Sequence, residues 1–310
     1  DRIYDQDRAV GGGDEVGQQQ PHAIKAYIDN STVTAGGGVS LTAQAPLDVH
    51  VLAVGGSLSS ASGSTSIGNT TLAGTAAGAY AENTIATAVE SSISGNSTIN
   101  TKIGNGGVSL TAISGDMQSR ADAFGVAAAH ATGGTQNSGG LAVGFGLAFN
   151  TLAGTSKAYI DSSIVDSGGS VTLSADSKPD INALAIGIAA SMARGTGTTG
   201  SLAGAGSVAK NVVNNKIETY ISDSRNVDNP GVTGTTLSLT ANDQSDVRAD
   251  AGGFSLAWAD AEAGTGTGLS LGVGAGIAIN EVGVGSGSHV KSSVVNSDLQ
   301  VAGDAGLATT

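Results

Sequence analysis

The feature that most constrains this chain is an internal repeat of about 66 residues. The triplet Leu-Thr-Ala at residues 41–43 returns, intact or slightly changed, after steps of 69, 63, 66 and 68 residues. A second pattern places an Ala two residues before an Asn and an aliphatic residue two residues after it, and it keeps the same spacing. Its asparagines are Asn83, Asn150, Asn211 and Asn280. A fixed period of this kind is typical of architectures in which each repeat stacks on its neighbours.

A third pattern, Ala-Tyr-Ile-Asp-Asn-Ser at residues 26–31, supports the same period. It returns in altered form at residues 158–163 and 219–224, and weaker copies are assigned to residues 88–91 and 289–292. Three patterns with one period predict about four and a half repeats, and we expect both ends to be cuts through something longer. The predicted units are 24–85, 86–156, 157–216, 217–286 and a partial unit 287–310.

The local pattern inside a repeat predicts β-strands. From Ala183 to Met192, larger apolar residues alternate with Ala, Gly and Ser, and alternation with a period of two is typical of strands. The abundance of small residues predicts two closely packed layers, with the larger apolar face pointing into a narrow core. Gly-rich segments before these strands predict sharp corners, because Gly readily adopts the positive φ that such turns need.

The chain is therefore predicted to be an all-β protein, a repetitive β-solenoid similar to a parallel β-helix. The recurring Asn shares its strand face with Ala and aliphatic residues. We therefore expect it to point inward and to form a ladder of side-chain amides along the stack. Three coil geometries fit the period: three short coils per repeat, one wide flattened coil, or a stack of antiparallel hairpins. We favour the parallel solenoid over the hairpins.

Composition and charge exclude several classes of function. A net charge of −13 disfavours nucleic acid as a partner, and the absence of Cys excludes thiolate catalysis and Cys-ligated zinc. No run of 18 apolar residues occurs, so we expect no insertion into a membrane. Residues 1–23 carry seven charged side chains among Gly- and Gln-rich segments, and they are predicted to form an irregular charged arm or loop insertion.

The sequence offers few candidates for catalysis or metal binding. The four histidines lie far apart, so no local pair could hold a metal, and we predict no enzyme activity, no catalytic residue and no cofactor. Calcium is the one ion to consider, because Asp260 and Glu262 lie two residues apart and could share a hard cation. The repeat alignment places Ala190 and Met192 at these positions, so the acidic pair is not a repeat feature. A solvated acidic edge is the simpler interpretation.

A β-helical enzyme that degrades polysaccharides is a further alternative. Such an enzyme needs an acidic pair in a groove with aromatic platforms for the sugar rings. The chain has only 1 Trp, 5 Tyr and 4 Phe, and three of the tyrosines belong to the third repeat pattern. The aromatic content therefore disfavours this function.

Residues 26–31, 38–43 and 183–192 resemble the β-strand repeat regions of very large bacterial surface proteins, the giant exoproteins and filamentous-haemagglutinin-like adhesins. The resemblance covers about residues 24–310 and carries over no catalytic or ligand residue. It implies an extracellular or cell-surface location and a non-catalytic role as a structural segment of a bacterial filament or adhesin. The partners it implies are copies of itself or neighbouring repeats of a longer chain, with cell-surface glycans as a further candidate. A calcium- or glycan-binding surface module is the alternative function.

Overall fold

The structure, a computed structural model, describes residues 22–63, 70–133, 137–225, 230–262, 266–285 and 287–310. The described residues form five successive turns of the chain, which we call coils 1 to 5. Coil 1 contains β1 (His22–Asp29), β2 (Thr32–Thr34), β3 (Val39–Gln44) and β4 (Leu47–Gly63). Coil 2 contains β5 (Thr71–Ser94), β6 (Thr98–Asn100) and β7 (Val108–Gly133). Coil 3 contains β8 (Ser138–Asp161), β9 (Ile164–Asp166) and β10 (Val171–Gly195).

In coil 4 both long strands are divided in two, and in coil 5 the first long strand is divided in two. Coil 4 contains β11 (Thr199–Val213), β12 (Lys216–Ser222), β13 (Val232–Gly234), β14 (Leu237–Asp243) and β15 (Asp246–Ala261). Coil 5 contains β16 (Gly268–Val282), β17 (His289–Val295), β18 (Leu299–Val301) and β19 (Ala305–Thr309). Residues 1–21 of the predicted charged arm (1–23) lie outside the described residues. Its last two residues belong to β1.

Each coil pairs in parallel with its neighbours, and the pairing joins residues one repeat apart. Leu110 of the Leu-Thr-Ala pattern pairs with Leu41 on one side and with Leu173 on the other, and the same column continues through Leu239 to Leu307. One repeat is therefore one wide coil. The alternatives of three short coils or antiparallel hairpins are wrong, because two long strands and one short strand fill the whole repeat.

Three parallel sheets run along the stack. Sheet A contains β1, β5, β8, β11, β12, β16 and β17; sheet B contains β2, β6, β9, β13 and β18; sheet C contains β3, β4, β7, β10, β14, β15 and β19. A strand of 24 residues such as β8 is about 80 Å long at about 3.3 Å per residue. Five coils at about 4.8 Å each advance only about 24 Å along the axis, so the described part of the chain is a plate that is wider than it is tall.

The core changes character across the width of this plate. Near sheet B, where all three sheets meet, it contains larger apolar side chains, among them Ile93, Leu110, Ile160, Leu173 and Leu239. Farther from sheet B, sheets A and C face each other directly, and we call this part the blade. Most of its buried apolar residues are Ala, in two clusters that include Ala123, Ala148, Ala183, Ala189 and Ala203.

A column of glycines brings the two sheets of the blade unusually close. Gly55, Gly125, Gly187 and Gly253 lie in register on sheet C, and a Cβ atom added to Gly187 would lie 2.2 Å from the carbonyl oxygen of Gly206 on sheet A. Facing sheets are normally about 10 Å apart because side chains fill the gap. Here the backbones approach each other at the glycines, so only small residues fit between the sheets.

This close approach reverses the predicted orientation of the alternating strands. In β10 the small residues Ala183 and Ala185 are buried between the sheets, whereas Leu184 and Met192 point outward. The prediction that the larger apolar face points into the core is therefore wrong for the blade. Among the described residues the only helix is a single 3-10 turn (Lys102–Gly104), and no described helix is long and apolar enough to cross a membrane.

Candidate functional site

The recurring asparagines form one column through coils 2 to 5. Asn83 donates from Nδ2 to Oδ1 of Asn150 at 3.0 Å, Asn150 donates to Asn211 at 2.9 Å, and Asn211 donates to Asn280 at 2.9 Å. The same amide nitrogens also donate to backbone carbonyls of the facing sheet C, as from Asn150 to the oxygen of Asn182 at 2.8 Å. The structure thus places all four asparagines of the sequence pattern in one inward-facing ladder.

The asparagine ladder has a direction along the stack. At its coil 2 end, Oδ1 of Asn83 is buried and has no hydrogen-bond partner among the described residues. At its coil 5 end, Nδ2 of Asn280 donates to the carbonyl oxygen of Val247 at 3.2 Å. One end therefore presents an acceptor and the other a donor, and a further coil with Asn at this position would continue the same bonding.

A second polar column lies at the corner between sheets A and B. It contains Ser31, Ser97, Ser163, Ser224 and Ser297. In each step the backbone N–H of one serine donates to Oγ of the serine in the next coil, at 3.1 to 3.3 Å. Each hydroxyl in turn donates to a carbonyl two or three residues earlier, at 2.5 to 3.0 Å. The sequence signal was the final Ser of the Ala-Tyr-Ile-Asp-Asn-Ser pattern, which the sequence analysis did not single out.

The residue before each serine, with one extra residue in coil 2, turns the corner in the left-handed conformation. Positive φ values are found at Asn30, Ser162, Asp223 and Asn296, and in coil 2 at Gly95 and Asn96. Asn, Asp and Gly adopt this conformation more readily than other residues. This requirement explains why the position that follows the end of the strand is Asn, Asp or Gly in four of the five coils.

Charges of alternating sign form a third column, on the outer face of sheet A. Lys25, Glu90, Lys157, Glu218 and Lys291 lie in register. Lys25 pairs with Glu90 at 2.8 Å and Lys157 pairs with Glu218 at 3.0 Å. Since neighbouring charges are always of opposite sign, the column favours this register over one that is shifted by a coil.

Glu218 is the most heavily paired member of this column. Besides Lys157, its carboxylate contacts Nε2 of His289 at 2.7 Å and Nζ of Lys216 at 3.7 Å. Burial raises the pKa of Glu218, but the hydrogen bonds from His289 and Lys157 and the charge of Lys216 outweigh it, so the pKa lies below its ordinary value. Glu218 is therefore held as a carboxylate within a cluster of cationic and imidazole groups.

Two tyrosines stack beside the charge column. The rings of Tyr159 and Tyr220 are 4.8 Å apart with an interplanar angle of 6°. Burial, followed by the effects of Tyr159 and Asp161, raises the pKa of Tyr220 above its usual range. The stack therefore acts as a neutral, apolar contact between coils 3 and 4.

The acidic residues proposed for calcium lie apart from these columns. Asp260 pairs in register with Arg194, whose Nε is 3.4 Å from its carboxylate, and Glu262 follows the end of β15. The sequence alignment that placed Ala190 and Met192 at these positions is wrong, because the register joins them to Leu256 and Trp258. Both acidic side chains are exposed, and within the described ranges no group of three His, Asp or Glu side chains could hold a metal ion.

The outer face of sheet A over the blade is apolar. We call A face the outward residues of segments 72–80, 139–147, 200–208 and 269–277, which are Leu, Val, Ile, Phe, Ala, Gly and one Tyr, with no charged side chain among them. Leu72 and Leu269 are about 70% exposed, and Leu141 and Leu202 are 47% exposed. The sequence analysis missed this face because it assigned the larger apolar residues of the alternating strands to the core.

The outer face of sheet C over the blade also carries an apolar patch, which includes Leu52, Val54, Leu58 and Phe254, all exposed. Leu256 and Trp258 are exposed there beside Met192 and line a shallow groove. Arg194 and Asp260 lie one position farther along the strands on the same face. The apolar area on sheet C is therefore bounded by charge at this end.

Comparison with protein-family models, with curated proteins and with solved structures finds no match for this chain.

Proposed function

We propose that this chain is a structural segment of an extracellular bacterial filament or large cell-surface adhesin, with no catalytic role. The observation that carries the proposal is the asparagine ladder, in which Asn83, Asn150, Asn211 and Asn280 bond from coil to coil along one axis. Buried amides bonded in this way add a similar contribution with each coil, as expected in a repeat protein whose stability grows with the number of units. Length and rigidity are then the properties that the repeats supply.

The polarity of the ladder supports the same proposal. A coil added beyond Asn280 would accept a hydrogen bond from its amide, as Asn280 itself accepts one from Asn211. The serine column has the same direction, since each backbone N–H donates toward the following coil. Stacking can therefore continue beyond coil 5 without any change in the bonding scheme.

Duplication of coils tests whether the repeats act as interchangeable structural units. Coils 3 and 4, residues 138–267, would be inserted a second time as one block, which preserves the alternation of Lys157 and Glu218. We expect a folded protein about 10 Å taller along the stacking axis by cryo-electron microscopy, because each strand spacing is about 4.8 Å. We also expect a higher midpoint of unfolding in denaturant.

The matched control duplicates coil 3 alone, residues 138–198, which stacks Lys157 on its own copy. The gain in stability per added coil should be smaller for this variant than for the double-coil variant, because like charges then meet in the column. If the two-coil insertion misfolds or leaves stability unchanged, the coils are not interchangeable and the structural role fails. Immunogold labelling of intact producing cells tests the location, and label confined to the cell interior would contradict it.

A further inference from the structure

The A face has the size of a protein interface. It covers four adjacent strands and nine residues along each strand, which is about 600 Å² in projection at about 4.8 Å per strand and about 3.3 Å per residue. The largest apolar patch on a typical monomer is about 300–600 Å², and a stable complex buries about 800 Å² on each partner. Protruding leucines add accessible area beyond the projection. Two such faces together would bury about 1,200 Å², which is the lower limit for a specific, stable complex.

The A face is not flat but has knobs and hollows. Leu72, Leu141 and Leu202 protrude, whereas space is open above Gly74 and Gly200, where a Cβ atom would meet nothing within 4 Å. Knobs and hollows thus alternate on the same surface, which is what a twofold interface between identical faces requires.

The boundary of the A face also fits a protein partner. Toward sheet B the next outward positions include Glu82 and Lys210, and near the far end Asn137 accepts a hydrogen bond from the backbone of Thr198. An apolar centre with a polar and charged rim is the usual anatomy of a protein interface. On sheet C, by contrast, charged side chains lie close to the exposed apolar residues.

We propose that two copies of this chain pair face to face through their A faces, with the apolar blade surfaces buried between them. The inference goes beyond the proposed structural role and does not depend on it, because it concerns lateral contact and not stacking along the axis. Each added coil would widen the contact by another strand, so the pairing would bundle longer stacks side by side.

Single cysteines test the proposal directly, because the chain contains no Cys. Val143 lies at the centre of the A face, and Val126 is a matched residue of similar exposure on the outer face of sheet C. Under mild oxidation at low micromolar concentration, Val143→Cys should form a covalent dimer, and Val126→Cys should remain monomeric on denaturing gels. Equal cross-linking of both variants, or of neither, would overturn the proposal.

Sedimentation of the full 310-residue chain provides the second measurement. We expect a concentration-dependent dimer that Leu141→Asp weakens by about tenfold or more, because the pairing would desolvate an unpaired carboxylate. The control Leu256→Asp, on the outer face of sheet C, should leave the dimer intact. Circular dichroism should show unchanged strand content in both variants, since both leucines are about half exposed.

The fluorescence of Trp258, the single Trp of the chain, reports on the outer face of sheet C and not on the A face. Trp258 lies on the outer face of sheet C, so its fluorescence should not change when the dimer dissociates on dilution. A wild-type chain that stays monomeric at all concentrations would overturn the proposal. If that monomer instead co-floats with phosphatidylcholine vesicles, the A face is a lipid-binding surface and the pairing is wrong.

Discussion

The side-chain amide of Asn150 donates to Oδ1 of Asn211 at 2.9 Å and to the backbone oxygen of Asn182 at 2.8 Å. Its own Oδ1 accepts from Asn83 at 3.0 Å. One side chain therefore joins three consecutive coils and also bonds sheet A to sheet C. Because the side chains of Asn83, Asn150 and Asn211 are buried, removal of Asn150 would leave buried polar groups without partners.

We predict that Asn150→Ala lowers the free energy of unfolding by about 3 kcal/mol, since each buried polar group left unpaired costs about 1–3 kcal/mol. Urea unfolding followed by circular dichroism measures the change. Asn280→Ala is the matched control, because Asn280 is the exposed last rung and bonds only one neighbouring asparagine. It should cost about 1 kcal/mol. Equal losses in the two variants would mean that the ladder adds nothing beyond local contacts.

The glycine column limits the size of the side chains that fit between the two sheets of the blade. In Gly187→Ala the new methyl group would lie 2.2 Å from the oxygen of Gly206, so the two sheets must move apart. We expect a loss of about 3 kcal/mol, at the upper end of the usual cost of overpacking a core. Gly204→Ala is the control, because its Cβ would meet open space on the A face. Thermal unfolding should leave this second variant at or slightly above the wild-type midpoint.

The sequence was sufficient to predict the repeat, the parallel all-β fold and the residues of the asparagine column. These depend on periodicity, and identical residues one period apart stack when each repeat forms one coil. The number of coils per repeat could not be predicted, because it depends on where the long strands turn. Orientation in the blade was predicted wrongly, since alternation identifies two faces but does not say which one is buried when Gly and Ala bring the sheets into contact.

The charge column was missed for a more specific reason. The weak copies of the third pattern were assigned to residues 88–91 and 289–292, whereas the register pairs Tyr27 with Ser92 and Tyr220 with Ser293. A shift of three residues hides the alternation of Lys and Glu that the correct alignment displays. The copies that lack the Tyr could only be aligned through their Ser and aliphatic residues, which are too common in this chain to fix a register.

Glu218 makes stability dependent on pH. Burial raises its pKa, but hydrogen bonds from His289 and Lys157 hold the pKa below its ordinary value in the folded protein. A carboxyl whose pKa is lowered on folding stabilises the fold above its unfolded pKa of about 4.3, and this stabilisation is lost as the pH falls through the folded pKa. We therefore expect Glu218→Gln to be less stable than the wild type at pH 7, with the difference vanishing in strong acid.

Thermal unfolding of both proteins between pH 7 and pH 2 checks this expectation. The control is Glu281→Gln, which removes a more exposed pair between Glu281 and Lys210 at 2.9 Å. Exposed ion pairs contribute little to stability, so this variant should follow the wild-type pH profile closely. A Glu218→Gln variant that runs parallel to the wild type at every pH would show that the charge column does not stabilise the stack.

The corner before the serine column offers a stabilising substitution. Ser162 has a φ of 47°, and the matching corners in other coils use Asn30, Asp223 and Asn296. Since Asn tolerates this left-handed conformation better than Ser, we expect Ser162→Asn to raise the free energy of unfolding by about 0.5 kcal/mol. Ser162→Val should lower it by about 1–2 kcal/mol, because a β-branched side chain strains the same backbone. Urea midpoints of the two variants should lie on opposite sides of the wild type, and a shift in the same direction would show that side-chain contacts, not backbone conformation, select the residue at this corner.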